Sequence, residues 1–487
     1  MDQHRAPLFE AMEEHHKRKT ASFHVPGHKN GAGVDREAAS FLGPVMEIDY
    51  TEITGLDDLH HPEGAIKEAQ ALAAACFGAE ETCFLIGGST VGNLAFITAL
   101  CGRDDLLIVQ RNIHKSVLHG LMLAGARAVF LTPRWDEDLQ LATGVRSEDV
   151  AEALAAYPEA KAVLLTNPNY YGMGVDLAAI AAIVHRAGKP LLVDEAHVAH
   201  YGFHPELPPS ALSCGADAVV QSTHKMLTAM TMGAMLHMQG NRLNREAVRQ
   251  RLSMLQSSSP SYPLMASLDL ARRQAALHGR ERIGLAWERI ATLRRRIAEL
   301  GCYELLELCE GNRSYETLDP FKLAIADRTG TLSGFELQAE LERRGCMAEM
   351  ADPRYVLLVF SFVTTLEDTE HLFASLQNIA ASHLLRERPE LPGRLVIPPY
   401  DEAPRVSEPV RFELTVGERK TVRMPLAEAV GRIAAETIIP YPPGIPQLYP
   451  GERIGEHTVR QLTSLARHGA RFQGARDASM QTIAVYA

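Results

Sequence analysis

Long apolar stretches are the first thing this 487-residue sequence lacks. No uninterrupted run approaches the roughly 20 residues that a bilayer-crossing helix needs, so a helical membrane protein is not expected. The opening MDQHRAPLFEAMEEHHKRKT is polar and charged. It holds no signal-peptide core, and a cytoplasmic protein is expected. Cysteine is also scarce. The seven, Cys76, Cys83, Cys101, Cys214, Cys302, Cys309 and Cys346, are odd in number and no pair is spaced CxxC. That excludes a zinc knuckle or a thioredoxin-type redox pair and leaves reduced structural thiols. Surplus positive charge is missing too: a net charge of -11 argues against a nucleic-acid partner and weakly suits a cationic small substrate. Internal repeats and low-complexity tracts are absent. So is a GxxxxGK[ST] phosphate loop, since the only Gly-Lys pair, Gly188-Lys189, runs into Pro190.

What is present is an ordinary globular composition, 46% hydrophobic and 22% charged, on a chain long enough for two or more domains. From about residue 80 to 240 short apolar runs alternate with helix-period segments. TCFLI (82–86), LLIVQ (106–110), RAVFLTP, KAVLLTNP, LLVDEA, AVVQST (218–223) and AMLHMQ (234–239) read as strands. NLAFITAL, HKSVLHGLMLAGA, SEDVAEALAAY and DLAAIAAIVHRAG read as helices between them. Strands apolar on both faces imply a mostly parallel sheet covered by helices, an α/β fold. The charged stretch 271–300 reads as one or two long helices, and the Pro-rich RERPELPGRLVIPPYDEAP marks a boundary near 386–404. Beyond it come RFELTV and a helix at PLAEAVGRIAAE. The expected divisions are an N-terminal arm (1–35), a large domain (36–285), a small α+β domain (286–385) and a C-terminal domain (386–487).

The stretch LLVDEAHVAHYGFH (191–204) delivers Asp194 and Glu195 into a cluster of His197, His200 and His204. Its DEAH letters suit an ATP-driven helicase, but without the phosphate loop that reading falls. Three histidines could converge on a metal if the segment were helical. Gly202 and the strand-exit position favour a loop, and no metal is expected. A carboxylate leaving a buried strand can instead serve a cofactor. Farther along, AVVQS runs into Ser222-Thr223-His224-Lys225. A lysine at a strand exit can form a Schiff base with an aldehyde, although most lysines are solvated charges.

Pyridoxal phosphate needs an anion site, a carboxylate for its pyridine nitrogen, and a lysine. Gly87-Gly88-Ser89-Thr90, between a strand and a helix, offers the first through free N–H groups and hydroxyls. Taken singly it reads equally well as an N-cap. Asp194 offers the second, its charge keeping the ring nitrogen protonated so that the ring drains electrons from the substrate's α-carbon. Alone it reads as a cap on the following turn. Lys225 completes the set. All three in this chain order are specific where each alone is not.

These residues sit inside a wider likeness, carried by FHVPGHKNG (23–31), TGLDDLHHPEGAIKEAQ (54–70), GGSTVGN (87–93), QRNIHKSV (110–117), DEAH (194–197), STHK (222–225), SPSYPLMASLD (259–269) and YPPGIP…PGE (441–452). Over nearly all its length the chain resembles the ornithine/lysine/arginine decarboxylases, in the short form without an N-terminal receiver-like domain. The resemblance implies an aspartate-aminotransferase-like fold, pyridoxal-phosphate fold type I. Such a fold has a large cofactor-binding domain around a mostly parallel sheet, with smaller α+β C-terminal domains. It also implies a catalytic set of Lys225 as the Schiff-base lysine, Asp194 at the pyridine nitrogen and His114 stacked on the ring. Gly88, Ser89, Thr90, Ser222 and His224 would surround the phosphate, and His197 would flank the phenolic oxygen, where some members carry tryptophan. His200 and His204 receive no role.

The activity implied is decarboxylation of a basic L-amino acid to its amine and carbon dioxide, within polyamine-related metabolism. Arginine to agmatine is favoured, with lysine to cadaverine and ornithine to putrescine close behind. The alternative is a pyridoxal-phosphate-dependent aminotransferase or other lyase, which would need an arginine to hold the α-carboxylate in the ring plane. No such arginine is identifiable. A non-enzymatic scaffold is disfavoured by the presence of Lys225, Asp194 and His114 together. A distal guanidinium or ammonium needs an acidic or aromatic partner. Asp57 and Asp58 are candidates, as is Glu452, which reads equally as a solvated tail carboxylate. His28, in the GHK loop, would border the site, or belongs to a plain turn around Pro26-Gly27. Fold type I enzymes usually build their sites at a dimer interface, with Ser257, Ser258 and Ser259 where a partner-facing segment would fall. A homodimer is expected, with no nucleic-acid or membrane partner.

Overall fold

The computed structural model describes the whole chain except residues 309–313, 384–403, 415–419, 441–444 and 468. Cys309 and most of the Pro-rich boundary lie outside the described residues. The chain divides into two compact units, Met1–Leu100 with Gly188–Glu281, and Cys101–Ala187 with Arg282–Ala487.

In the first unit the strands lie in the spatial order Glu81–Leu85, Ala234–Met238, Ala218–Gln221, Leu191–Asp194. All are buried on both faces from the second residue onward, which their near-continuous apolar sequences demand. Leu191–Asp194 and Ala218–Gln221 pair in parallel, with Asp194 opposite Val220. Ala234–Met238 runs antiparallel to both of its neighbours. Three strands therefore point the same way, and their carboxyl ends emerge along one edge. Across the first pair Thr82 Oγ1 meets His237 Nδ1 at 2.8 Å. Burial pushes that imidazole down to about 3, so it is a neutral core histidine.

Two helices fix the edge. The helix Gly88–Leu100 lies against the strands through Gly92, where an added Cβ would stand 2.6 Å from Val220 Cγ2 and 2.9 Å from Leu85 Cδ1. Only glycine lets it approach so closely. The N-terminal helix Pro7–Lys17 buries Leu8 and Met12 against Phe84, Tyr262 and Met265. It is tied down where Leu8 N donates to Asp269 Oδ2 at 3.1 Å, and where the buried Arg272 reaches the Gln3 and Arg5 carbonyls. The charged stretch near 271–300 belongs to one continuous helix, Tyr262–Glu299.

In the second unit Val163–Thr166, Leu106–Gln110 and Arg127–Leu131 pair in parallel, and Val410–Arg411 adds antiparallel to the last. A separate antiparallel sheet runs Tyr303–Leu305, Lys322–Asp327, Tyr355–Val359, Met350–Ala351. The helices Gly334–Glu342 and Leu366–Ser382 both open on capping boxes, Ser333 with Glu336 and Thr365 with Asp368. Thr421–Pro425 pairs with Thr482–Tyr486 around a core that includes Leu426, Ile438, Leu448, Leu462 and Ile483.

The helix expected at PLAEAVGRIAAE does not form. Only a single 3-10 turn, Leu426–Glu428, is present. Gly431 takes φ +80°, and buried Glu436 spends its carboxylate on Arg476 N and Ala484 N at 2.9 and 2.7 Å. Pairing with a distant segment outweighs local propensity here. The six described cysteines form no disulfide with one another, and burial pushes the thiols of Cys76, Cys83 and Cys101 up to about 12. Among the described residues no helix is long and apolar enough to cross a membrane.

Replacing Gly92 by alanine should test the helix–sheet contact. Overpacking costs about 1–3 kcal/mol, against at most about 1 kcal/mol gained in helix propensity. The urea midpoint should fall, and an unchanged midpoint would show that the helix can lift off its strands.

Candidate active site

The common carboxyl edge of the first unit collects the candidate cofactor residues, where ligands of open α/β sheets bind. Asp194 is the last residue of its strand and is only 3% exposed. Its Oδ2 accepts from Asn93 Nδ2 at 2.8 Å and its Oδ1 from Ala196 N at 3.1 Å. The second bond is an Asx-type turn, so the carboxylate does cap the turn that follows it. The first aims it from the helix Gly88–Leu100.

The parallel neighbour ends at Gln221 and passes through Ser222 into the short helix Thr223–Met226. Lys225 is exposed, and its Nζ stands 3.0 Å from His197 Nε2. Ser222 Oγ and Ser89 Oγ are 2.7 Å apart, joining the lysine turn to the glycine loop. His224 Nδ1 donates to the Gly233 carbonyl at 2.9 Å, which leaves Nε2 as the ring's other polar atom. Burial pushes its pKa down, opposed by that hydrogen bond.

Gly88 holds φ +71° with open space where a side chain would be, and its N–H donates to the Met232 carbonyl at 2.9 Å. The glycine is required by conformation, and the anion-attracting N–H groups are those of the following residues. Thr223 Oγ1, a neighbour of these hydroxyls in sequence, is buried with no hydrogen-bond partner among the described residues. An unanswered buried hydroxyl beside a helix N-terminus, a fixed carboxylate and an exposed amine make a donor set that fits pyridoxal phosphate.

Other expected site residues are placed as follows. His114 belongs to the second unit and caps the helix Lys115–Ala124, its Nδ1 accepting from Ser116 N at 3.2 Å. His28 lies in the first unit, where Nε2 meets Asp49 at 3.2 Å and Nδ1 accepts from Gly31 N. The loop around it is a tight turn, with positive φ at Lys29, Asn30 and Gly31. Asp57 takes five backbone N–H groups, from Asp58, Glu63, Gly64, Ile66 and Lys67. Asp58 accepts from His60 N at 2.8 Å. Glu452, in the second unit, lies with both oxygens 3.0 Å from an Arg111 amine. Burial pushes its carboxyl up while Arg111 opposes. Arg111 also donates to the Pro446 and Gln447 carbonyls and lies 4.9 Å from the Tyr449 ring centroid. His200 is buried against the Tyr201 ring, and His204 Nδ1 accepts from Glu206 N.

Asn93, Thr223, Gln221 and Arg111 were not singled out from the sequence. Asn93 left a signal, because asparagine is a poor former of helix interiors and a buried one implies a tertiary partner. Thr223 and Gln221 sit inside quoted motifs but carry nothing distinctive in one dimension.

Residues 6–313 match the family described as "Orn/Lys/Arg decarboxylase, major domain", and residues 404–478 match its C-terminal domain. An arginine decarboxylase of Bacillus subtilis is 35% identical across all of this chain and 98% of its own. An uncharacterized protein of the same organism, YaaO, is 42% identical over 99% of this chain and 98% of its own. Among solved structures, the constitutive lysine decarboxylase of Escherichia coli superposes with a TM-score of 0.80 at 22% identity. It covers 99% of this chain and 82% of its own. Serine palmitoyltransferase of Sphingomonas wittichii gives 0.54 at 18% identity, covering 72% of this chain and 83% of its own. These likenesses show the fold-type-I architecture, a large, mostly parallel central sheet flanked by helices. The chain belongs to the Orn/Lys/Arg decarboxylase family, and is a pyridoxal-phosphate-dependent decarboxylase of the basic-amino-acid class.

Proposed function

We propose that the chain decarboxylates L-arginine to agmatine, with lysine to cadaverine and ornithine to putrescine as the next substrates. The observation that carries the site assignment is the meeting of Asp194, Lys225, His197, Ser89 and Ser222 at the carboxyl ends of neighbouring strands. The preference for arginine rests on full-length relatives named arginine decarboxylase. YaaO, more alike, has no named substrate.

When bound, pyridoxal phosphate supplies the electron sink into which the Cα–carboxylate bonding pair passes as carbon dioxide leaves. Asp194 would hold the proton on the pyridine nitrogen, with Asn93 and the Ala196 N–H keeping its oxygens aimed. Ser89, Thr90, Ser222 and His224 would take the phosphate, with Gly88 shaping the loop by its conformation and Thr223 as an added donor. Lys225 Nζ would hold the cofactor's aldehyde. Once carbon dioxide departs, Cα needs a proton, and Lys225 Nζ with His197 Nε2 at 3.0 Å forms a pair able to carry one. His114 is assigned to the ring face on its motif.

For the substrate's distal cation Asp58 and Glu452 are kept, and His28 is kept at the border of the site. Asp57 is withdrawn, because five N–H donors occupy its lone pairs and leave none for a guanidinium. A homodimer with active sites at the interface is proposed as well. Ser257, Ser258 and Ser259 are exposed, and the same unit exposes Phe23 (95%), Phe41 (88%) and Met254 (71%), apolar side chains that a partner subunit would cover.

Three outcomes are expected. Cofactor-loaded protein given labelled arginine, lysine and ornithine should release carbon dioxide and the matching amine, fastest with arginine. Lys225→Ala serves as the blank, and keto-acid formation without carbon dioxide would refute the activity. Asn93→Ala removes a hydrogen bond to a charged group, about 1.5–3 kcal/mol. Pyridoxal phosphate should bind roughly 10- to 100-fold more weakly, and unchanged affinity would free Asp194 from dependence on Asn93. Light scattering at working concentration should give twice the chain mass or more; a monomer alone would overturn the interface.

A further inference from the structure

Glu195 follows Asp194 in the chain, and the chemistry above leaves it without a task. It is fully buried, at 0% exposure. Its N–H donates to the Val220 carbonyl at 3.0 Å, Oε1 accepts from Ala211 N at 2.7 Å, and Oε2 lies 2.6 Å from the Gln221 amide nitrogen. One carboxyl thus joins the end of the Asp194 strand, the end of the strand that leads to Lys225, and the turn at Ala211. No lysine, arginine or histidine among the described residues pairs with it.

The groups facing it are almost all neutral. Its own segment presents Asp194, a like charge. The strand Ala218–Gln221 presents the Gln221 amide, and the turn at Ala211 presents a backbone N–H. Asp217 lies at the far end of that strand, bonded to Leu191 N and Arg242. Of the nearby histidines and lysine, His197 and Lys225 contact each other and His200 lies against Tyr201. An anion here would be buried with two neutral donors and no counter-charge, which folded proteins avoid by keeping the proton.

We propose that Glu195 is held as an uncharged carboxylic acid that ties the two strand ends together, a positioning residue through which a proton controls how Asp194 and Lys225 are presented to the cofactor. The proposal rests on the cofactor roles given above to Asp194 and Lys225. The Gln221 contact suits it. A separation of 2.6 Å is short for N–H···O and ordinary for O–H···O. The amide's two ends have the same shape, so turning it over gives the acid's O–H a carbonyl acceptor. Burial, the dominant influence, pushes this carboxyl up to about 8, with Asp194 adding to it. Losing the proton would place a second anion beside Asp194 and strain the link to the lysine turn.

The folded chain holds this proton more tightly than the unfolded chain does. Stability owed to it is therefore complete below the ordinary carboxylate value of 4.5 and lost as pH rises to about 8. Full-length protein should show a protonated-carboxyl C=O band by infrared difference spectroscopy that disappears on titration through about pH 8 and is missing in Glu195→Gln. Wild-type affinity for pyridoxal phosphate should fall by up to about tenfold per pH unit above that transition, relative to Glu195→Gln, which keeps the shape without the proton. No such band below the transition, or the same alkaline decline in Glu195→Gln, overturns the proposal. If Glu195→Gln does not fold, the wild-type band decides alone. Asp194→Asn separates the two readings: unaltered cofactor affinity there refutes the role of Asp194, whereas the Glu195 band reports on Glu195 whatever Asp194 does.

Discussion

The parallel pairing of Leu191–Asp194 with Ala218–Gln221 is the constraint on which the candidate site depends. A parallel register brings two carboxyl ends out side by side, and here it sets Asp194 opposite Val220, with Ser222 to Lys225 just beyond. An antiparallel pairing would have carried the carboxylate and the lysine to opposite edges. The intervening strand Ala234–Met238 runs antiparallel to both of its neighbours, so Glu81–Leu85 also ends on the same edge and delivers the glycine loop there. Gly92 then decides how close the following helix can come, and so where Ser89 and Asn93 stand.

Electrostatics follows from that layout. The helix Gly88–Leu100 turns its positive end toward the hydroxyls of Ser89 and Ser222. The negative side chain sits deeper, at Asp194, fixed by an amide and a backbone N–H without a cation. In the proposed site such a neutral lock would leave the carboxylate for the cationic ring, where an arginine would compete for it. Glu452 is held differently, with Arg111 3.0 Å from both of its oxygens and itself beside the Phe130 and Tyr449 rings. Asp57 is a third case, with no cation but enough N–H groups to close a loop and cap the helix Ala65–Phe77. Three acidic residues in quoted motifs have three different surroundings, and letters alone do not tell them apart.

Much of the alternating region could be read directly, because strands buried on both faces must be apolar throughout and the helices between them must stop. LLIVQ is the strand Leu106–Gln110, and SEDVAEALAAY carries the helix Ser147–Ala156. Reading failed where distant pairing overrides local preference, as at PLAEAVGRIAAE, whose periodicity is helical and whose backbone is claimed by Arg476 and Ala484. The spacing of glycine loop, acid and lysine announced a cofactor chemistry, since that chemistry needs those groups in kind. It did not announce Asn93 or Thr223, whose value lies in what stands across from them.

By itself the sequence determined the α/β alternation, the family and the cofactor, because those rest on residue types in chain order and on periodicity, both one-dimensional properties. The tertiary structure alone decided which carboxylate stands at the shared strand edge, which closes a loop, and which is buried without a partner of opposite charge among the described residues. Those outcomes depend on groups from strands and helices far apart in the chain, and on the removal of water from between them.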